Sequence, residues 1–338
     1  MPVRRSFIRW SSCVLLAAFA ACGGGGEGGG PPVGSVGDSK LFVGDSAKQA
    51  IGSSPNSNPA AGTSVIERVI SGSSTMLSSE LRDFALDAVN DRLYVADLRS
   101  ILVFNNAGTA SGNVAPSRVL NSFLGLGGFV GIYLDTVNDR LYAPVNLGAG
   151  SNQVRVFNGA STATNAFPDR TFSFASRFLI DIAVDTTRDI LYAFHLNSAT
   201  NLTEIAVFAN ASTLNGVVVP TRVITIGRSY SSNEPAGIFI DSAANRLYAP
   251  NHGQVLVFDS ASTKNGAISG PAAPERVITL PVPGMTTITI ELTSNRLYAV
   301  DGAGVNVIPN ASTAVGLVTA VRILAPPGSF FEAVAVKP

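Results

Sequence analysis

The sequence predicts an all-β fold: six four-stranded antiparallel blades set radially about a channel, a β-propeller whose ring is closed by its own C-terminal strand. Three observations predict it. Two unrelated tripeptides each recur six times at a spacing near 50 residues, each period divides into four short β runs, and the two ends of the chain carry complementary fragments of one period.

The first tripeptide is basic-Leu-aromatic: Lys40-Leu41-Phe42, Arg92-Leu93-Tyr94, Arg140-Leu141-Tyr142, Arg246-Leu247-Tyr248 and Arg296-Leu297-Tyr298, with Ile190-Leu191-Tyr192 as a variant. Its leucines stand 52, 48, 50, 56 and 50 residues apart. The second is Arg followed by two apolar or β-branched residues: Arg68-Val69-Ile70, Arg118-Val119-Leu120, Arg170-Thr171-Phe172, Arg222-Val223-Ile224, Arg276-Val277-Ile278 and Arg322-Ile323-Leu324. Two independent markers therefore give the same count of blades.

The unit at 237–278 shows the internal order. Residues 237–241 read as a buried strand, 242–245 as a turn, 246–249 as a second strand and 254–258 as an alternating third. A long loop through Ser260-Ala261-Ser262-Thr263 and Asn265-Gly266 then reaches Pro274 and a fourth strand at 276–279. No helical periodicity of useful length interrupts the pattern after residue 38. At the ends, the unit starting at Lys40 lacks an inner strand, whereas Phe331-Glu332-Ala333-Val334-Ala335-Val336 alternates like an inner strand with no second strand after it. Pairing the two closes the ring and leaves no open sheet edge between first and last blades.

Ahead of the repeats, residues 1–21 read as a signal peptide: Arg4, Arg5 and Arg9 form a basic start, and 13–21 is an apolar run too short to span a bilayer. Phe19-Ala20-Ala21-Cys22 resembles a bacterial lipobox, with Phe in place of the usual Leu, which makes Cys22 the expected lipidation site and membrane anchor; the alternative is ordinary secretory cleavage nearby. The run Arg4-Arg5-Ser6-Phe7-Ile8-Arg9 fits either a twin-arginine export signal or a generic basic segment. Residues 22–37, glycine-rich and then Pro31-Pro32, read as a tether, and 38–338 as the propeller. The expected location is the bacterial cell envelope, at the outer membrane or periplasmic face.

Charge and composition exclude other classes. The 338 residues carry 23 Lys+Arg against 23 Asp+Glu, 14% charged and 46% hydrophobic side chains, which excludes a charge-rich disordered chain. The balance also lacks the basic footprint that a phosphate backbone demands, so no nucleic-acid partner is expected. The expected state is a monomer.

At the level of motif, Pro235-Ala236-Gly237-Ile238-Phe239-Ile240-Asp241, Asn245-Arg246-Leu247-Tyr248-Ala249 and Val255-Leu256-Val257-Phe258 resemble the NHL repeat of six-bladed propellers; Ile182-Ala183-Val184-Asp185 and Leu93-Tyr94-Val95-Ala96-Asp97 resemble other parts of it. The resemblance covers nearly all of 38–338. It implies the fold, but propellers of this kind serve as binding platforms, lactonases and lyases alike.

Recurrence separates scaffold from site. Asp87 with Arg92, Asp135 with Arg140, Asp241 with Arg246 and Glu291 with Arg296 recur in the hairpins and read as structural pairs worth roughly 0.2 to 1 kcal/mol each. The Asn-Ala-Ser-Thr segments at Asn210 and Asn310, with relatives at Gly159 and Ser260, read as turns whose side chains bond nearby amides.

The loops before each inner strand and after each second strand share one face, around the channel. There the second strands end at Asp45, Asp97, His195, Asn251 and Asp301, with Asn146 and His252 adjacent, and the inner strands enter at Asp83, Gly131, Asp181, Gly237, Thr287 and Ala333. Such a ring would either hold a hard cation such as Ca²⁺ or position a water, or else Asp and Asn merely end strands there. His195 and His252, the only histidines, read as solvated loop positions rather than a ligand pair. Non-repeating insertions at 71–83, 121–130, 146–153, 195–204 and 225–236 add Arg82, Arg228, Tyr230 and Glu234. The candidate ligand-binding set is therefore Arg82, Asp83, Asn146, Asp181, His195, Arg228, Tyr230, Glu234, Asn251, His252 and Asp301.

Six-bladed lactonases that this fold resembles gather a Glu, an Asp and Asn residues on a divalent metal, and the inner-strand entries here offer only Asp83 and Asp181 as acids. No Gly-x-Ser-x-Gly elbow occurs after the leader. The reading favours a tethered platform for a protein, peptide or envelope polymer without a required cofactor, ahead of a metal-dependent hydrolase or lyase working at the channel.

Overall fold

Strand alternation in this chain has to serve two cores at once, because each sheet packs against a neighbour on both faces. In Arg246–Asn251, Leu247 and Ala249 enter one apolar cluster with Tyr192, Phe194 and Ile205, while Tyr248 enters another with Leu297 and Ala299. The same split holds along the series: Leu93 and Leu141 pack backward, Tyr94 and Tyr142 forward. This is why the strands read as nearly unbroken apolar runs. Each fully buried Leu or aromatic contributes about 1.5–3 kcal/mol, so the six clusters carry most of the fold's stability.

The computed structural model describes residues 39–54, 66–120, 127–148, 152–164, 167–229, 237–281 and 284–338. Residues 1–21, expected to be a signal peptide, residues 22–37 with Cys22, expected to be a tether, and Tyr230 and Glu234 lie outside them. Among the described residues are six sheets and only three single-turn 3-10 helices. From the inner strand outward, blade 2 runs Leu81–Asp87, Arg92–Asp97, Ser100–Asn105, Arg118–Leu120; blade 4 runs Phe178–Asp185, Ile190–Leu196, Thr203–Ala209, Arg222–Thr225. Blade 5 runs Phe239–Asp241, Arg246–Asn251, Gln254–Asp259, Arg276–Thr279, and blade 6 runs Thr287–Glu291, Arg296–Val300, Gly304–Pro309, Val321–Leu324. Blade 3 differs. Its inner strand is split at Gly131 into Gly128–Phe129 and Tyr133–Asp135, both paired with Arg140–Asn146, beyond which lie Gln153–Asn158 and Arg170–Ser173.

Blade 1 is completed from the far end of the chain, as the fragments predict. Phe331–Lys337 pairs antiparallel with Lys40–Asp45, aligning Lys40 with Lys337 and Val43 with Val334, and Ala50–Ser54 and Arg68–Ser71 follow outward. Asp45 reinforces the join by accepting the Phe330 N–H at 3.1 Å.

The two tripeptides meet in space. Arg118 donates to the carbonyls of Ala160 and Ala163 at 2.8 and 2.9 Å and lies 5.8 Å from the centre of the Tyr94 ring; the Tyr94 hydroxyl donates to the same Ala160 carbonyl at 3.0 Å. Arg170 reaches Leu214 and Arg276 reaches Ala311 and Ala314 in the same way. The target in each case is the Ala-Ser-Thr turn of the next blade. That turn is itself pinned by the residue before Arg-Leu-Tyr: Asp189, at φ 54°, accepts both the N–H and the hydroxyl of Ser212 at 2.7 Å, and Asp139 does the same for Ser161. Asn and Asp tolerate this left-handed conformation better than other residues with side chains. Three recurring segments therefore form one seam.

The long third-to-fourth loops hold an element the sequence pattern does not expose. Gly216–Val217, Gly266–Ala267 and Gly316–Leu317 each add a short parallel strand to the outer edge of the preceding blade, and Gly112 makes a single bridge to Ile70. The hairpin acid–arginine expectation holds only as register. Asp87, Asp135, Asp241 and Glu291 stand opposite Arg92, Arg140, Arg246 and Arg296, yet of these only Asp87–Arg92 is an ion pair, at 3.6 Å. The turn's own donors win elsewhere: Asp135 accepts the Val137 and Asn138 amides, Asp241 the Ala244 amide, and Glu291 the hydroxyls of Ser294, Tyr298 and Ser39. Arg246 turns instead to Asp259.

Replacing Arg118 with Ala removes two charged hydrogen bonds from one seam and is expected to lower stability by about 1.5–3 kcal/mol, read as a lower urea midpoint at unchanged slope.

Candidate functional site

The inner strands enter the channel at Asp83, Gly131, Asp181, Gly237, Thr287 and Ala333, one per blade. Asp83 Oδ2 accepts the Ile132 N–H of blade 3 at 2.9 Å, and Asp181 Oδ2 accepts the Ile238 N–H of blade 5 at 2.8 Å. Each acid sits where its own strand bulges against the second strand, at Leu81/Asp83 and at Leu179/Asp181. The intervening glycines leave room: a Cβ on Gly131 would come within 2.2 Å of Asp181 Oδ1, and one on Gly237 within 2.4 Å of the Thr287 hydroxyl. Burial drives both carboxyls up, Asp83 to about 7 and Asp181 well above the usual carboxylate range, the latter also pushed by the charge of Asp83.

At the second-strand ends, where the sequence suggests a ring of oxygens, Asp97, Asn146 and Asp301 each bond a nearby loop or strand. Asp97 accepts the Ser78 N–H and hydroxyl, both at 2.8 Å. Asn146 clasps the Leu179 backbone at both its N–H and its carbonyl, each at 2.8 Å. Asp301 is held by Arg322, Asn306 and the Ala303 amide. Asn251 pairs with Gln254 across a tight turn in which His252, exposed, has φ 45° and Gly253 φ 66°. Among the described residues no three His, Cys, Asp or Glu side chains cluster as a metal site. Asp97, Asn146 and Asp301 thus anchor loops and neighbouring strands.

His195 corrects the sequence reading in a second respect. It is 2% exposed within a strand, its ring edge-on to Phe174 at 5.0 Å and its Nε2 3.9 Å from Glu204, which in turn accepts from Asn197. Burial lowers its affinity for a proton, so it is a neutral core residue rather than a solvated one. The Arg228 carbonyl accepts from the Thr203 N–H at 2.8 Å, a strand-edge role.

What remains open is the channel mouth. A depression of ≈ 970 Å³ spans residues of blades 1, 2, 3, 4 and 6, with Leu81, Leu98 and Phe129 among its apolar walls and Arg82, Arg177 and Glu332 among its charges. Phe178 and Phe330, 37% and 46% exposed, stand on its rim, each beside the start of an inner strand. Arg82 pairs with Glu80, and Arg177 donates to Asn201 at 2.7 Å. Burial raises the Glu332 carboxyl, with Arg82 opposing. Of the candidate set, Arg82, Asn146 and Asp301 line this depression and Asp83 and Asp181 sit deeper on the same strands. Phe178, Phe330 and Arg177 escaped the sequence reading, although an aromatic at the entry of an inner strand was the available signal for the two phenylalanines.

No family model matches the chain, and no curated protein matches it. Solved structures do. A chain of the crystal structure of the Nidogen/Laminin complex is similar at TM-score 0.58 and 13% identity, over 89% of this chain and 98% of that one. A chain of the crystal structure of the Mitotic Checkpoint Complex aligns at TM-score 0.41 and 14% identity, over 76% of this chain and 67% of that one. The first likeness shows the fold alone, a β-propeller.

Asn146→Ala leaves a buried N–H and a buried carbonyl of Leu179 without partners, an expected loss of about 1–3 kcal/mol in equilibrium unfolding.

Proposed function

We propose that this chain is an exported, lipid-anchored propeller of the NHL type whose channel mouth binds a protein or peptide segment. The carrying observation is the ≈ 970 Å³ depression with two half-exposed phenylalanines on its rim and arginines beside them, an apolar surface with directional polar groups. Aromatic and arginine side chains are the usual anchors of protein recognition. The similar chain of the Nidogen/Laminin complex comes from a protein assembly, which supports the same class of partner. The lipobox-like Phe19-Ala20-Ala21-Cys22 and the glycine-rich stretch after it support a body held near a membrane by a tether.

Two measurements test the reading. With the purified propeller immobilised and envelope extract passed over it, Phe178→Ser with Phe330→Ser is expected to lose the retained protein at least tenfold while unfolding at an unchanged midpoint; equal retention removes the mouth as the binding site. Separately, Cys22→Ser is expected to move the protein from the membrane to the soluble fraction and to abolish labelling by a radioactive fatty acid; unchanged partition would rule out the anchor.

A further inference from the structure

Blades 2 and 4 present carboxylates to the channel at equivalent positions, and blade 3 between them presents no side chain at all. The space is filled from the flanks, since a Cβ on Gly131 would lie 2.2 Å from Asp181 Oδ1 and 3.6 Å from Asp83 Oδ2. Three of the four oxygens have a defined donor or share one: Asp83 Oδ1 accepts the Phe84 N–H at 2.8 Å, Asp83 Oδ2 that of Ile132 and Asp181 Oδ2 that of Ile238. The fourth, Asp181 Oδ1, has no well-formed hydrogen bond, the neighbouring Ile182 N–H falling short of one, although Asp181 is only 4% exposed. A buried carboxylate oxygen without a full partner, with a second carboxylate across Gly131, is costly unless one positive charge joins the pair.

No basic residue supplies that charge. Among the described residues no Lys, Arg or His bonds to or pairs with either acid; the hydrogen bonds to them come from backbone amides. The remaining charged groups of the packed inner strands lie at their ends. Arg82 and Glu332 are at the mouth, while Asp87, Asp135, Asp185, Asp241, Glu291 and Lys337 stand four residues further along their strands than the channel entries, roughly 13 Å away at about 3.3 Å per residue. The buried Tyr133 hydroxyl stays neutral because burial pushes it far up. Thr287, with its hydroxyl beside Gly237, is uncharged.

The geometry points to a proton-sharing pair: Asp83 and Asp181 jointly hold one exchangeable proton at neutral pH, and its release to water loosens the channel-side seams joining blades 2, 3, 4 and 5. Loss of the proton leaves two buried anions flanking Gly131, whose repulsion and lost hydration outweigh the stronger bonds that the Ile132 and Ile238 amides give to an anion. Burial, which holds Asp83 up to about 7 and Asp181 above the usual range, accords with this. The direction follows from the raised values: unfolded, both acids lose protons near the ordinary 3.8, so the stabilisation is complete below that pH and is lost as pH rises through about 7.

The test is thermal unfolding of the full chain from pH 4 to 9 in the presence of a chelator, for the natural protein, Asp83→Asn and Asp181→Asn. The natural protein is expected to lose several degrees between about pH 4 and 7, and each variant to show a flatter profile over that range. Because burial also raises Asp97 and Glu332, the difference between natural and variant profiles is the readout. Infrared spectroscopy at pH 7 is expected to show a protonated carboxyl band that Asp83→Asn weakens and shifts, since it leaves Asp181 without its carboxylate neighbour, and this measurement stands if Asp181→Asn does not fold. Parallel pH profiles, or absence of the band, overturn the proposal. So does a midpoint at fixed pH that Ca²⁺ raises and chelation lowers, which would make the pair a cation site.

Discussion

Every sheet in this protein has to bury two faces, and the seams between sheets are where that requirement is met. A single blade could cover neither its Leu side nor its Tyr side alone, so stability belongs to the closed series rather than to any one unit. The apolar contacts are non-directional and would tolerate sliding. Direction comes from the polar lock at the rim, where Arg118 and Tyr94 converge on the Ala160 carbonyl and Asp139 fixes the turn that offers it. Closure by Phe331–Lys337 extends the same principle to the ends of the chain, replacing two open edges with one paired ladder.

Function is confined by what the seams consume. Asp45, Asp97, Asn146 and Asp301 stand where a ligand would meet the channel, but each satisfies backbone or side-chain groups of the protein, Asn146 those of the next blade and Asp45 those of the closing segment. Buried amides and carbonyls left unpaired would cost more than a surface contact returns, so these polar side chains are spent on structure. The surface that stays open is formed where the repeat relaxes, in the irregular segments carrying Phe178 and Phe330. A depression with apolar walls and charges of both signs at its margin is the result.

The channel interior follows different physics. Alternation of Asp83, Gly131, Asp181 and Gly237 lets long side chains of one blade reach amides of the next without collision, at the cost of bringing two acids together out of water. Their shared environment gives both an affinity for protons that neither would have on the surface.

Recurrence of Arg-Leu-Tyr and Arg-Val-Ile was enough to predict six blades, their strand order and the closing pair, because a period of two within a period near 50 admits few ways to bury every apolar residue. The sequence alone likewise marked Asp83 and Asp181 as the acids of the inner ring. It was silent on partnership. That His195 lies in the core, that Asp135 prefers its own turn to Arg140, and that Gly216–Val217 adds an edge strand depend on which donors arrive within 3 Å after folding, and spacing along a chain carries no such distance. Local pattern decides which face a residue occupies; only the packed ring decides what meets it there.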